Sequence, residues 1–441
     1  MSLGQIAIII VGASGDLAGR KLIPALDILY NKDKICPPCI VVGCGRTYFT
    51  DEQFRERFNI SAEFASHTFY HQFIPGLKQY LQSKGDFTRA IFFLSQPPSA
   101  HMNTVREIAE DGFGQDATIV IEKPFGYDQK SAAEMNQYLY RYFTESQIFR
   151  IDHYLAKESV QNIMIFRFAN SAFLPAWNSH YIESIQINAI EDIGIAHRGG
   201  YFDKAGIIRD MVQNHLLQLL CLITMDTPSS LTAHDIQQQK LSILKNIKIE
   251  ECHRFQYEGY LQENGVDPKS KTETFAELKL FINNTRWAGM PVYVRCGKAV
   301  HRKGTEIGVT YRSVPSILYN QKNSLDPNRI IFKIQPSEGI ILQLMSKVPG
   351  TEQQLTGTHM NFCYRDSFDS EIPEAYQRLL FDALRGDHTL FVSADETEAE
   401  WRIVDPVLDK GDIIPYKPGQ LPQSRLNIPW IDFDSYSHFC A

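Results

Sequence analysis

The stretch RIDHYLAKES, residues 150–159, concentrates side chains that can bind an anion or move a proton. Asp152, His153 and Lys157 lie within six residues of one another. If a helix begins near Leu155, His153 and Lys157 are four residues apart and share one face, where two cationic donors suit a phosphate. Alternatively, Asp152 is simply the N-cap of a surface helix. The residues alone leave a phosphate site and a plain helix start both open.

A second group of polar residues lies on a long, otherwise apolar helix predicted for residues 202–226. Six of them follow one stripe of this helix or its edge: Arg209, Asp210, Gln213, Asn214, Gln218 and, at the edge, His215. A buried polar group without a partner costs about 1–3 kcal/mol, so the stripe needs partners or a pocket. A lone core histidine is the alternative reading, but the company of so many polar neighbours favours a pocket.

The stretch VGASGDLAGRK follows a predicted strand and opens a predicted helix. Gly12 and Gly15 would let the backbone approach a pyrophosphate, whose charge the first N–H groups of the helix would meet. The spacing G-x-x-G-x-x-A differs from the commonest dinucleotide motif. A coenzyme site is favoured here, and a plain turn is the alternative.

Two cationic residues follow other predicted strands. Arg46 stands where NAD-binding folds carry an acidic residue, and an arginine there suits the 2′-phosphate of NADP. Lys123 ends the fourth strand, at the sheet edge where doubly wound folds bind ligands, and the bond to Pro124 is a candidate for a cis peptide. The alternatives are a solvated loop arginine and an ordinary proline stop.

The elements that must position these residues follow two patterns. Four apolar runs separated by helical patterns predict buried parallel strands: IAIIIVG, CIVVGCG, AIFFLSQPP and ATIVIEKPFG. A doubly wound α/β domain is therefore expected over residues 1–150. From about residue 275 to 350, strand-like runs without intervening helices predict an antiparallel sheet. A helix is expected over residues 373–387, with Pro373 in its first turn and Gly386 at its end.

Composition bounds the protein class. A chain of 441 residues is expected to form two domains. The net charge of −7 argues against a general nucleic-acid or membrane-surface binder. No apolar run approaches the roughly 20 residues that span a bilayer, and IAIIIVGA is too short for a signal peptide. The eight cysteines lack framework spacing, which fits a reducing cytoplasm, and CPPC at residues 36–39 is read as a rigid turn rather than a redox motif.

Six motifs together resemble those of glucose-6-phosphate dehydrogenases, in the same order along the chain: GASGDLAGRK, EKPFG, RIDHYLAKE, RGGYFDKAGIIRDMVQNHLLQ, NTRWAGMPVYVRCGK and KIQP. The resemblance extends from Ile6 to about Pro415. It implies a Rossmann-type NADP-binding domain over residues 1–150. It also implies a substrate-binding and oligomerisation domain of β+α type, with a mostly antiparallel sheet, over residues 151–441. The implied cofactor is NADP, with NAD as the alternative, and the implied protein is a cytoplasmic homodimer or homotetramer.

The family pattern also implies residue roles. The coenzyme would contact Gly12, Ala13, Ser14, Gly15, Asp16, Leu17, Arg46, Pro97 and Lys123. The sugar phosphate would contact Lys21, Lys123, His153, Tyr154, Lys157, Glu191, Asp210, Lys298, Lys303 and Gln335. The implied general base is His215, and its carboxylate partner is Asp152. The Lys123–Pro124 bond is expected to be cis, and no metal ligands are expected.

The implied reaction agrees with the chemistry of these residues. Oxidation of the C1 hydroxyl of glucose 6-phosphate to 6-phosphoglucono-1,5-lactone needs a base that takes the O–H proton while hydride leaves. A histidine, with an ordinary pKa near 6.5, can serve, and a buried aspartate would orient its ring and stabilise the imidazolium. Two other functions stay open: a related hexose-6-phosphate dehydrogenase with another sugar or NAD/NADP preference, and a dinucleotide-binding sensor without turnover. The presence of both Asp152 and His215 favours an enzyme.

Overall fold

The structure is a computed structural model that describes residues 5–32, 34, 39–314, 325–352, 354–368 and 372–440. The chain divides into two units. Unit 1 comprises Met1–Lys157, Pro228–Gln238 and Ile372–Glu398, and unit 2 comprises Glu158–Thr227, Gln239–Glu371 and Ala399–Ala441. The assignment of coenzyme and substrate roles to residues 1–150 and 151–441 stays a prediction. Of the CPPC motif, all but Cys39 lies outside the described residues.

The strands are β1 Ile6–Val11, β2 Cys39–Gly45, β3 Thr68–Gln72, β4 Arg89–Leu94, β5 Ala117–Ile121, β6 Ile148–Ile151, β7 Ile182–Ile190, β8 Ile247–Tyr257, β9 Phe275–Ile282, β10 Pro291–Gly297, β11 Gly304–Tyr311, β12 Arg329–Gln335, β13 Gly339–Lys347, β14 Leu355–Cys363, β15 Phe391–Val392 and β16 Ile413–Tyr416. The α-helices are α1 Ile23–Asn31, α2 Asp51–Arg55, α3 Ala62–Ser66, α4 Leu77–Lys84, α5 Pro98–Glu110, α6 Gln129–Leu139, α7 Glu158–Ala169, α8 Gly199–Ile207, α9 Leu217–Thr224, α10 Ala233–Asn246, α11 Tyr364–Ser367, α12 Ala375–Arg385 and α13 Ala394–Val404. Two segments, Ala18–Leu22 and Ile208–Leu216, are wound as π-helix.

The sheet of unit 1 has the strand order β15-β6-β5-β4-β1-β2-β3. Its strands are parallel, apart from the short edge strand β15, which runs antiparallel to β6. Every residue of β1 and β5 is buried, as strands covered on both faces require. This order is that of the dinucleotide-binding doubly wound folds, and the predicted parallel α/β sheet is confirmed.

The sheet of unit 2 has the order β14-β13-β12-β11-β7-β10-β9-β8-β16 within the described residues. The five strands predicted between residues 275 and 350 are present as β9 to β13. Most neighbours are antiparallel, whereas the pairs β7–β10 and β8–β16 are parallel. The prediction of a mostly antiparallel sheet is confirmed.

The helix predicted as continuous over residues 202–226 is in fact three pieces: α8, the π-helix Ile208–Leu216, and α9. At Gly206 the backbone leaves helical geometry, with φ of 70° and ψ of 170°. Because a β-carbon at this position would overlap the carboxylate of Glu273, and because φ is positive, glycine is required. The prediction of a single helix was therefore wrong, although its burial was predicted correctly.

The helix α12 starts later than the sequence suggested. Its N-cap is Glu374, so Pro373 precedes the helix instead of occupying its first turn. Gly386 ends the helix, as predicted, and adopts the left-handed conformation with φ of 72°.

The C-terminal segment packs on the sheet of unit 2. Ile431, Phe433 and Tyr436 form a buried cluster with Ile331 and Ile341. A disulfide, which the cysteine spacing did not predict, joins Cys363 to Cys440 across 77 residues. Among the described residues, no helix is long and apolar enough to cross a membrane.

Substitution of Gly43 by alanine should destabilise unit 1. An added β-carbon would overlap the ring of Phe54, which is fully buried against β2. Overpacking of this kind costs about 1–3 kcal/mol, and urea unfolding should show a loss in this range. Gly114→Ala is the matched control, because a β-carbon there meets no atom within 4 Å. Equal stabilities of the two variants would contradict the packing argument.

Candidate functional site

The turn after β1 is shaped for close approach of a ligand to the backbone. Gly12 has φ of +86°, and its N–H donates to the carbonyl of Cys44 at 2.8 Å. A β-carbon on Gly12 would lie 3.0 Å from the backbone nitrogen of Gln96, so a side chain would not fit. The N–H of Gly15 donates to the Gly12 carbonyl at 2.9 Å and closes the turn. The local geometry therefore requires the glycines of the predicted pyrophosphate turn.

Beside this turn lies a cavity of about 600 Å³, a size typical of cofactor sites. Five of the residues predicted to bind coenzyme line it: Gly12, Ser14, Gly15, Arg46 and Pro97. Ala13 is buried beneath the turn, and Asp16 is exposed and 3.4 Å from Arg20. The cavity and its cation fit a phosphate-bearing dinucleotide.

A second arginine, which no sequence motif indicated, lies next to the turn. Arg57 donates from Nη2 to the carbonyl of Ser14 at 3.3 Å, and its guanidinium lies 4.9 Å from the centre of the Phe49 ring. Its positive charge therefore lies next to the turn that lines the cavity. Only the fold shows this, because no local motif links residue 57 to residue 14.

In RIDHYLAKES, the helix begins at Glu158 and not near Leu155. His153 and Lys157 therefore do not share a helical face, and that prediction was wrong. They lie in consecutive turns instead, in which the N–H of Leu155 donates to the Asp152 carbonyl at 3.1 Å. Asp152 is not a helix N-cap either. Its Oδ1 accepts the N–H of the residue two further on, which holds the chain in a turn.

The turns nevertheless gather the two basic side chains around Tyr154. The ring of His153 lies 5.1 Å from the ring of Tyr154, and the Lys157 ammonium lies 5.7 Å from the same ring. Tyr154 is buried, and its N–H donates to Asp152 at 2.9 Å. Two basic side chains on one buried tyrosine form a local arrangement that suits a phosphate.

A carboxylate that no sequence motif indicated, that of Glu122, follows the end of β5. The hydroxyl of Tyr376 donates to Glu122 at 3.0 Å, and the next peptide bond, Lys123–Pro124, is cis as predicted. Burial raises the pKa of Glu122 to about 7, the nearby charge of Asp152 acts in the same direction, and Tyr376 and Lys123 oppose it. A carboxyl that holds its proton near neutrality thus lies beside a predicted ligand-binding lysine.

Lys21, a predicted substrate-binding residue, forms an ion pair with the N-cap of helix α12, the helix that also carries Tyr376. Its ammonium lies 2.9 Å from Glu374, and both side chains are substantially exposed. Glu374 is the N-cap of α12 and Tyr376 lies in its first turn, so one helix end contacts both Lys21 and Glu122.

In unit 2, His215 and Asp210 lie on the π-helix, and both are buried. The backbone N–H of His215 donates to Oδ1 of Asn214 at 2.7 Å. Burial, together with the adjacent carboxylate of Asp210, raises the pKa of Tyr201 to about 12. Tyr201 therefore stays a hydrogen-bond donor beside Asp210.

Glu191 and Lys298 come together because they follow the paired strands β7 and β10. Ile190 lies opposite Gly297 in this parallel pair, and the N–H of Glu191 donates to the Gly297 carbonyl at 2.9 Å. The ammonium of Lys298 then donates to the Glu191 carboxylate. Elsewhere in unit 2, Gln335 donates to Thr305 at 3.2 Å, and Lys303 is exposed.

The predicted residues thus form clusters within each unit. Asp152 belongs to unit 1 and His215 to unit 2, and their pairing stays a prediction.

Comparison with known families assigns both parts of the chain. Residues 9–162 match the family described as glucose-6-phosphate dehydrogenase, NAD binding domain, and residues 164–425 match its C-terminal domain. The chain belongs to the glucose-6-phosphate dehydrogenase family. The predicted family and fold class are confirmed, as is the prediction of an NADP-dependent oxidoreductase.

Individual relatives agree with this assignment. The chain is 39% identical to a glucose-6-phosphate 1-dehydrogenase of Chlamydia muridarum, over 91% of this chain and 89% of the relative. It is 38% identical to a cytoplasmic form from Arabidopsis thaliana, over 94% and 89%. A solved glucose-6-phosphate dehydrogenase in complex with glucose 6-phosphate is similar with a TM-score of 0.90 and 33% identity, over 96% of both chains.

Replacement of Glu122 by glutamine should remove a pH dependence of stability. The folded carboxyl keeps its proton up to about pH 7, whereas in the unfolded chain it loses the proton near pH 4.5. The stability that this group contributes in acid is therefore lost as pH rises from about 4.5 to about 7. Because glutamine does not titrate, the free energy of unfolding of the variant, relative to wild type, should rise across this window. Urea unfolding between pH 5 and 8 measures the difference.

Tyr376→Phe is the control, because it should raise the pKa of Glu122 further. It removes a hydrogen bond that lowers the pKa of Glu122, so the loss of stability should extend to higher pH. A difference between Glu122→Gln and wild type that stays constant from pH 5 to 8 would contradict the raised pKa.

Proposed function

We propose that this protein oxidises glucose 6-phosphate at C1 to 6-phosphoglucono-1,5-lactone, with NADP as the hydride acceptor, as the first step of the oxidative pentose phosphate pathway. The observation that carries the proposal is the buried His215, placed on the π-helix with Asp210, in a chain that resembles a solved substrate complex over 96% of its length.

His215 is the general base that takes the proton of the C1 hydroxyl, and Asp152 is its carboxylate partner. The imidazole is 1% exposed, so little water competes for the proton. A carboxylate beside the ring would hold its orientation and stabilise the imidazolium that forms. The burial of Asp152, at 2% exposure, supports this role.

The substrate's phosphate and its sugar hydroxyls call for different side chains. We assign the phosphate to His153, Tyr154 and Lys157, because two basic groups flank the tyrosine. We assign the hydroxyls to the carboxylates Glu191 and Asp210, which can accept their hydrogen bonds. The remaining proposed substrate contacts are Lys21, Lys123, Lys298, Lys303 and Gln335. Binding of the remote phosphate would position C1 for reaction.

The coenzyme would bind along the β1 turn. The turn formed by residues 12–17 would contact the pyrophosphate, Arg46 would contact the 2′-phosphate, and Pro97 and Lys123 would line the rest of the site. Bound NADP supplies the hydride acceptor. The charges of Arg46, which lines the cavity, and of the nearby Arg57 support NADP over NAD.

Assembly and location are also proposals. We infer a homodimer or homotetramer in the cytoplasm, with residues 1–150 binding coenzyme and residues 151–441 serving substrate binding and assembly. The similar cytoplasmic form from Arabidopsis thaliana supports this location, although chloroplastic forms are 38% identical as well.

His215→Asn should reduce kcat by about 10²–10⁴-fold, because general-base catalysis contributes about this factor. The dissociation constant for glucose 6-phosphate should change little, since the phosphate contacts remain. Initial rates of NADPH formation and substrate titration of the purified variant measure the two effects.

The control for this prediction is His388→Asn, which replaces a histidine stacked on Phe149 at 3.7 Å in unit 1 and should keep the wild-type rate. A near-native kcat for His215→Asn would refute the base assignment. No turnover of wild type with glucose, galactose or mannose 6-phosphate and either coenzyme would favour the sensor function.

Arg46→Ala should change coenzyme preference. A hydrogen bond to a charged group contributes about 1.5–3 kcal/mol, so kcat/KM with NADP should fall about tenfold or more. With NAD, which lacks the 2′-phosphate, the value should change little. Arg106→Ala removes an exposed arginine 3.8 Å from Glu110 on α5 and should alter neither value. Equal losses with both coenzymes would contradict the assignment.

A further inference from the structure

The π-helix that carries His215 is attached to a buried carboxylate on another helix of unit 2. Glu400, which is 2% exposed, accepts from Nε2 of Gln218 at 2.6 Å and from Nε2 of Gln213 at 3.5 Å. Each of its two carboxylate oxygens accepts a hydrogen bond from one of these glutamines. Both glutamines are buried as well. Glu400 thus joins two points of the helix on either side of His215.

These two glutamines are five residues apart, and this spacing decides their relative direction. In an α-helix, with 3.6 residues per turn, side chains five apart point about 140° away from each other. In a π-helix the i→i+5 hydrogen bond makes a wider turn, which brings residues five apart closer to the same side than an α-helix does. The π winding extends from Gln213 to Leu216, two residues before Gln218, and Glu400 binds both glutamines across this wider turn.

The buried ammonium of Lys240 determines which way the side-chain amide of Gln218 is oriented. The ammonium of Lys240, which is 1% exposed, donates to Oε1 of Gln218 at 3.0 Å. The Gln218 amide therefore has its oxygen towards the cation and its nitrogen towards the carboxylate of Glu400. Each polar atom of that amide has a partner of the correct type.

A chain of hydrogen bonds leads from Glu400 to the backbone of His215. Gln213 donates to Glu400 and accepts through Oε1 from Nδ2 of Asn214 at 3.4 Å. Asn214 in turn accepts the N–H of His215 through Oδ1 at 2.7 Å. The carboxylate thus acts on the position of His215 without contacting the imidazole.

We propose that Glu400 is a positioning residue that stabilises the π-helical winding and so places His215 and Asp210 for the reaction. This inference rests on the proposed function, in which His215 is the base.

Glu400→Gln is the direct test in the full-length protein. Glutamine keeps the size but offers one acceptor oxygen, so its NH₂ group faces a donor of Gln213 or Gln218. We expect kcat to fall at least tenfold, the dissociation constant of glucose 6-phosphate to change less than kcat, and the acidic limb of the kcat–pH profile to shift. Glu277→Gln is the matched control, since Glu277 is an equally buried glutamate of unit 2 that binds Ser424 and Arg425. It should leave kcat and the pH profile unchanged.

An exchange variant separates positioning from a general loss of packing. Glu400→Gln combined with Gln218→Glu restores every donor–acceptor pair: Lys240 again faces an acceptor, and Gln213 again donates to position 400. We expect the double variant to recover most of the lost kcat and the wild-type pH profile. If it performs no better than Glu400→Gln, or if Glu400→Gln matches Glu277→Gln, the inference is wrong.

Gln213→Met keeps the test decisive if Glu400→Gln does not fold. It breaks the hydrogen-bond chain to Asn214 with little change in volume, so kcat should fall while circular dichroism stays that of wild type. A wild-type kcat in Gln213→Met would overturn the inference. Failure of His215→Asn to reduce turnover would instead overturn the proposed function, so the two failures are distinguishable.

Discussion

The main constraint on unit 2 is that the helical segment carrying His215 buries polar side chains among apolar ones. Between Asp210 and Gln218, five polar side chains are almost fully withdrawn from solvent. Each would cost about 1–3 kcal/mol without a partner, so the path of the helix follows the available donors and acceptors. Glu273 determines where the π-helix starts, because its carboxylate lies against Gly206 and accepts the N–H of Ile208 at 3.1 Å. Just beyond the other end of the π-helix, Glu400 and Lys240 bind the side-chain amide of Gln218.

In unit 1 the central strands β1, β4 and β5 are mostly apolar, and the polar residues of the predicted site follow the ends of strands. The registers of β1, β4, β5 and β6 align, so their carboxyl ends meet at one edge of the sheet. The turn at Gly12, the pair Glu122–Lys123 and the carboxylate Asp152 each follow one of these strands directly. The parallel sheet therefore gathers chemistry that is dispersed along 140 residues of sequence. Helix α12 adds Tyr376, 254 residues beyond Glu122.

The sequence predicted well the features that local burial patterns determine. Four strands of the unit 1 sheet, the strands β9 to β13 of unit 2, the glycine turn after β1 and the end of α12 at Gly386 were identified from short runs. The start of α7 was misplaced because Asp152 accepts the N–H of Tyr154 and holds the chain in a turn, a competition that helical periodicity does not reveal. Tyr376 beside Glu122, Arg57 beside Ser14, and the Cys363–Cys440 disulfide depend on tertiary neighbours. No local pattern encodes them.

The π winding shows why the geometry of the site could not be deduced from residue types. The polar stripe was visible in sequence, but assigning it to one face assumed 3.6 residues per turn. The wider turn changes which residues are neighbours, and it depends on Glu400, 182 residues from Gln218. π-Helices are rare, occur mostly as short insertions in α-helices, and are frequent at functional sites. Here the helix returns to α geometry at Leu217–Thr224, where most of the side chains are apolar and Gln218 is the amide bound by Glu400 and Lys240. The departure from regular helix is thus confined to the turns that carry Asp210 and His215.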